Sequence, residues 1–151
     1  MNWELKGREV KHTKDLPEGT IGFVYIIHLS NGKKYIGRKS LYSFTKRNFG
    51  KKEIAAMTDK RLKTYEIVKK ESKWQSYVGS NSFLKDELKE EIVTVEKKEI
   101  IKVAFTNKQL TYLETQALFC YGVIESDEYY NDNILGKFYR KDLLNDEEDI
   151  S

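Results

Sequence analysis

Two tyrosines ten residues apart, Tyr25 and Tyr35, and one carboxylate on an otherwise apolar helix stripe, Glu114, are the side chains in this sequence best suited to chemistry. A phenol has an ordinary pKa near 10, so it takes up a proton at neutral pH only where nearby cations favour the phenolate. A carboxylate among apolar neighbours costs free energy unless a cation or hydrogen-bond donors meet it, and Leu110, Ala117, Leu118 and Tyr121 lie one turn from Glu114 on a helix. An aromatic cross-strand pair is also ordinary packing, and a glutamate at a helix edge is commonly half exposed, so the residues alone leave both readings open. Cations are abundant between these groups: Arg38, Lys39, Lys46, Arg47, Lys51, Lys52 and Lys73 all fall in the segment that follows Tyr35.

The elements that must position these groups are readable. Residues 22–37 form two strand-like runs around Asn31-Gly32, a hairpin signal, and alternation places Tyr25 with Phe23 and Ile27, opposite Val24, Ile26 and His28. The strand register, and with it whether Tyr35 shares the face of Tyr25, is not fixed by sequence. Apolar positions Ile54, Leu62 and Tyr65 recur at helical spacing across 51–73, predicting one helix or two short ones. Gly79-Ser80-Asn81 breaks the pattern, and Ser80 or Asn81 caps a short helix to about residue 91. Residues 97–105 predict a third strand that pairs with the hairpin. Thr106 and Gln109 make a capping-box signature for a largely buried helix over 108–124, with Cys120 in the core. Residues 1–19 show no sustained period and end on the turn signal Pro17-Glu18-Gly19; they read as an arm that packs Trp3 and Val10 against the body or reaches towards nucleic acid.

Composition narrows the function classes. The 151 residues fit one domain. A single cysteine excludes an internal disulfide and a multi-cysteine zinc site, and two distant histidines disfavour a histidine metal site. No run approaches the roughly 18 apolar residues of a membrane span, and the first residues lack a signal-peptide core, so a soluble, cytoplasmic protein is expected. The net charge of +3 hides an asymmetry: residues 1–110 carry 24 Lys plus Arg against 14 Asp plus Glu, whereas 111–151 carry 3 against 10. A basic body attracts a phosphate backbone, although lysine-rich faces are also simply solvated.

The hairpin resembles the two-part motif of the GIY-YIG nuclease superfamily, with F-V-Y at 23–25 standing for its first half and Y-I-G at 35–37 matching its second. The resemblance extends to Asn81 and Leu84 at a second helix, to Glu114 on the helix after the third strand, and to Asn131 in Y-Y-N-D-N-I. It implies an α/β (α+β) domain with a small three-stranded sheet flanked by helices. It also implies a metal-dependent DNA endonuclease, with Glu114 holding one Mg²⁺ or Mn²⁺. In that reading Tyr25 takes a proton from the attacking water, Tyr35 orients water or phosphate, Arg38, Arg47 or both clamp the phosphate, and Asn131 holds the loop or a metal-bound water. The products are 5′-phosphate and 3′-hydroxyl ends. The loop after Y-I-G is longer than usual, which leaves the arginine assignment open between Arg38 and Arg47. Residues 41–77 resemble the basic insertion of small phage-type members, expected here as helical and DNA-gripping, with Lys39, Lys46, Lys51, Lys52, Lys73, Trp74 and Asn81 on the nucleic acid.

The resemblance further implies double-stranded DNA as partner, a homodimer or larger homo-oligomer on it, and a site of action in the cytoplasm, the host's if the protein is phage-encoded. The domain thus divides into an arm (1–20), the insertion (41–77) and an acidic, frayed tail (142–151). Two other classes are open from sequence alone: a catalytically weak DNA-binding module on the same fold, and a protein-interaction domain or inhibitor acting through the acidic tail. RNA as substrate is open as well.

Overall fold

Among the described residues the chain forms nine strands and four α-helices, and the hairpin is their centre. A computed structural model describes residues 1–59 and 61–143. In chain order the elements are β1 (Trp3–Leu5), β2 (Arg8–Val10), β3 (Gly22–Leu29), β4 (Lys34–Ser40), β5 (Tyr42–Asn48), α1 (Lys51–Ala55) and β6 (Tyr65–Glu71). They continue with α2 (Ser82–Lys89), β7 (Val95–Ala104), α3 (Asn107–Cys120), β8 (Asn133–Ile134), β9 (Phe138–Tyr139) and α4 (Arg140–Leu143).

The main sheet is five-stranded, in the order β2-β1-β7-β3-β4, not three-stranded as expected. The two extra strands come from the arm. β1 pairs parallel with β7, and β2 folds back antiparallel on β1. Fully buried Trp3 and nearly buried Val10 anchor them, and the Trp3 indole N–H donates to the Trp74 carbonyl at 2.8 Å. Strands of three residues are too short to show a period, which is why this stretch reads as an arm.

The hairpin and the third strand form as expected. β3 pairs antiparallel with both β4 and β7 and is buried on both faces. One core holds Trp3, Phe23, Tyr25, Trp74 and Leu84; the other packs Val24, Ile26 and Ile36 against Leu110, Ala117 and Leu118 of α3. Thr106 accepts a hydrogen bond from the Gln109 N–H at 3.1 Å, and Asn81 accepts one from the Leu84 N–H at 2.9 Å, so both caps sit where the sequence puts them.

Residues 41–77 depart most from expectation. The helical insertion is instead a two-stranded antiparallel ribbon of β5 and β6, with α1 near its tip. The spacing of Ile54, Leu62 and Tyr65 mimics a helix only because it runs across α1, a turn and the start of β6. Cys120 is exposed, not in the core, because the buried face of α3 ends at Leu118. The acidic tail beyond residue 143 lies outside the described residues. Among the described residues, no helix is long and apolar enough to cross a membrane.

One buried charge stands out in β7. Lys98 is 2 % exposed, donates to the Gln75 carbonyl at 2.9 Å and sits 4.2 Å over the Trp3 ring. Burial pushes its amine down from 10.5 to about 8. The folded protein therefore holds this proton less tightly than the unfolded chain. Stability bears the full burial cost below about pH 8 and regains it as pH rises towards 10.5. That shift corresponds to roughly 3 kcal/mol. In Lys98→Met, chemical denaturation between pH 7 and 10.5 is expected to show a flatter stability profile than wild type; an equally steep rise would refute the assignment.

Candidate active site

Register decides where the phenols go. Tyr25 stands opposite Gly37 and Tyr35 opposite Ile27, so both rings lie on one face of the sheet with centroids 6.2 Å apart. Two glycines make room for them. A Cβ on Gly37 would lie 2.5 Å from the Tyr25 hydroxyl, and one on Gly79 would lie 2.8 Å from the Tyr35 ring. Gly79 also has φ +101°, a conformation side chains rarely adopt. The Tyr35 hydroxyl lies 3.3 Å from Ser80 Oγ.

The two phenols are not equivalent. Tyr25 is 1 % exposed, hemmed by Trp3 at 5.1 Å and Tyr77 at 6.1 Å, while Tyr35 lines an open cleft. Burial pushes the Tyr25 hydroxyl far up, reinforced by Tyr35, Tyr77 and Glu114, and burial raises Tyr35 too. Burial thus favours the neutral Tyr25 phenol, while the Lys39 ammonium stands by the neighbouring Tyr77 ring. Tyr77 is a third phenol that sequence reasoning missed; it carries the Lys39 ammonium 4.3 Å over its ring, and its only signal is its place just before Val78-Gly79.

Glu114 reaches the same cleft from the other side of the sheet. Its side chain is 21 % exposed, and Arg38 Nε lies 3.6 Å from its carboxylate. Arg38 also donates to the Thr111 hydroxyl, one helical turn before Glu114. Burial raises the Glu114 carboxyl above the usual range, and the Arg38 charge only partly offsets this. β4 is the edge strand of the sheet, so the cleft straddles that edge: the phenol comes from one face, the arginine and carboxylate from the other.

Asn131 closes the edge. Its side-chain oxygen accepts from the Ile36 N–H at 3.0 Å and its amide donates to the Ile36 carbonyl at 2.8 Å, as a neighbouring strand's peptide group would. Just before it, Lys34 N–H donates to the Glu128 carbonyl and Tyr130 N–H to the Lys34 carbonyl, both at 2.8 Å. Asn131 thus ties the loop to β4. Arg140, which nothing in the local sequence flags, pins that loop by donating to the carbonyls of Val123, Ser126, Tyr129 and Asn131. Asn81 caps α2 and donates to the Tyr130 carbonyl at 3.1 Å, on the cleft wall.

The cleft has a volume of about 520 Å³ and brings together Tyr35, Arg38, Asn81, Glu114 and Asn131, with Tyr25 directly behind. Arg47 is not part of it. It lies well out on the ribbon, bonded to Glu66 at 2.6 Å and to Glu53 at 3.0 Å, so its charge is already met and the structure corrects its candidacy as the catalytic arginine. Trp74 is fully buried and its indole donates to Glu71; it is a core residue, not a nucleic-acid contact. Lys46 lies over Tyr65 on the ribbon, Lys51 and Lys52 sit on exposed α1, and Lys73 is exposed at the ribbon's return.

Among the described residues, no three His, Cys, Asp or Glu side chains cluster as a metal cage. A desolvated carboxylate with one cation 3.6 Å away fits an ion that keeps most of its waters, which is the habit of magnesium and not of zinc.

Over residues 3–134 the chain matches the family model described as "Putative endonuclease segE, GIY-YIG domain". No curated protein and no solved structure matches it.

Proposed function

Because the chain belongs to the SegE GIY-YIG endonuclease domain family, we propose that it hydrolyses phosphodiester bonds of duplex DNA at the cleft on the edge of β4. The observation that carries this reading is the convergence of Tyr35, Arg38 and Glu114 on one cleft from two faces of the sheet. In hydrolysis, water adds to phosphorus, the bond to the 3′ oxygen breaks, and one water proton ends on that oxygen, leaving 5′-phosphate and 3′-hydroxyl ends.

Tyr35 orients the attacking water from the cleft wall, and the protonated Tyr25 behind it fixes the ring and donates within the phenol cluster. Arg38, 44 % exposed in its side chain, has donors free to turn from Glu114 to a phosphate oxygen. Asn131 keeps Ile36, and with it Gly37 and Arg38, in place. Glu114 would hold Mg²⁺ or Mn²⁺, which supplies Lewis-acid polarisation of the phosphate and charge for the leaving oxygen. With one site per chain, cutting both strands takes two chains on the DNA or two visits. The cytoplasm is the proposed site of action.

Purified protein is expected to convert supercoiled plasmid to open circle with Mg²⁺ and to stop when EDTA removes it. Arg38→Gln is expected to lower the rate on the order of 10²-fold, the usual effect of losing one transition-state donor. Arg47→Gln should turn over saturating plasmid at the wild-type rate. Absence of product from the wild type, or loss in Arg47→Gln with Arg38→Gln active, would overturn the assignment.

A further inference from the structure

The ribbon is built of seven opposed pairs from Tyr42–Glu71 to Asn48–Tyr65. Opposed residues share a face, so Tyr42, Phe44, Lys46, Tyr65, Ile67 and Lys69 lie on one side, and Thr45, Arg47, Glu66 and Val68 on the other. The two faces differ in chemistry. On the first, Phe44 is 62 % and Ile67 60 % exposed, flanked by Lys69 stacked 3.9 Å over Tyr42 and Lys46 stacked 4.2 Å over Tyr65. On the second, the Arg47 charge is met by Glu66 and Glu53. Residues 42–71 carry 9 Lys plus Arg against 4 Asp plus Glu.

The root of the ribbon is fixed to the sheet. The Leu41 N–H donates to the Ile21 carbonyl at 2.9 Å, the Ser72 N–H to the Leu41 carbonyl at 2.8 Å, and the Ser72 hydroxyl to the Ser40 carbonyl at 2.6 Å. The apolar face thereby looks onto a hollow of about 240 Å³ bounded by Tyr42, Phe44, Lys69, Phe105 and Asn107, at the start of α3. Arg38 and Glu114 lie on that same side of the sheet.

We propose that the Phe44–Ile67 face of the ribbon enters the major groove of duplex DNA beside the scissile phosphate. Lys46 and Lys69 meet the flanking phosphates, and the two apolar side chains meet base edges, thymine methyls above all. Two strands about 5 Å apart, with their side chains, match a groove about 12 Å wide. Phosphate contacts give affinity and groove contacts give preference. The proposal rests on the nuclease reading, but its failure is separable.

The test is anisotropy binding, at fixed salt, of a labelled duplex, its single strand, and the same duplex with uracil for thymine. Phe44→Ser/Ile67→Thr is expected to lose at least tenfold in duplex affinity and to stop distinguishing uracil from thymine. Lys46→Gln/Lys69→Gln should weaken binding and flatten the salt dependence by about two charges. Val68→Thr, on the other face, should stay within twofold of wild type. The proposal is overturned if the Phe44/Ile67 variant binds duplex like wild type, if single strand binds as tightly as duplex, or if that variant alters only self-association in sedimentation. Wild type that binds through this face without nicking overturns the hydrolase reading alone; nicking with unchanged ribbon variants overturns the ribbon alone.

Discussion

Glu114→Gln is expected to nick plasmid at least about 10³-fold more slowly than wild type while binding duplex DNA normally and folding as well or better. The side chain sits among Leu110, Ala117 and Leu118, and burial raises its carboxyl, so ionising it in the folded protein carries a desolvation cost. Glutamine keeps the shape and removes that cost. The lost pairing with Arg38, at 3.6 Å and with the arginine 44 % exposed, contributes at most about 1 kcal/mol. Since the raised carboxyl makes the folded state hold its proton more tightly, wild-type stability falls as pH rises through the folded value; the glutamine variant lacks this fall. Plasmid nicking and urea melts at pH 5 and 7 measure both. Wild-type cleavage by the variant would end the assignment of Glu114 to the chemistry.

Gly37→Ala is expected to damage both fold and activity. Its new methyl would stand 2.5 Å from the Tyr25 hydroxyl and 2.8 Å from Cζ, distances that real Cβ atoms essentially never show. Tyr25 has nowhere to go: it is 1 % exposed, with Trp3, Tyr35 and Tyr77 around it. Overpacking of this kind costs about 1–3 kcal/mol. The phenol cluster shifts with it, so nicking should fall roughly 10²-fold, in line with misplacement by an ångström. Tyr25→Phe removes the atom in closest conflict, so a double-mutant cycle should show the stability losses to be strongly non-additive. An alanine variant as stable and active as wild type would show that the two rings do not depend on this glycine.

The parts of this structure that were legible in the sequence are those with local signals. The hairpin announced itself by alternation around Asn31-Gly32, β7 by alternation through Ile100 or Ile101, Val103 and Phe105, and α2 and α3 by Asn81 and Thr106. Tyr25, Tyr35 and Glu114 were found because each lies on such an element. β1 and β2 were not legible because three residues are too few to show a period, and β1 joins the sheet only through β7, more than ninety positions away. The ribbon was misread because both its faces are exposed, so no buried face imposes alternation on β6. Choosing Arg38 over Arg47 needed three dimensions: only the fold reveals that Glu53 and Glu66 have claimed the latter. Trp74 was placed on the nucleic acid beside Lys73, and only packing against Trp3 and Phe23 reveals it as core.

Asn131 reaches Ile36 across 95 positions of chain through a single side-chain amide. The Lys34 backbone bonds to Glu128 and Tyr130, the Asn81–Tyr130 bond and the Arg140 side chain fasten the same loop, and Tyr129, Tyr130 and Ile134 are buried with it, so the edge is closed as part of the core. The loop is thereby expected to come away only together with the sheet edge that it covers.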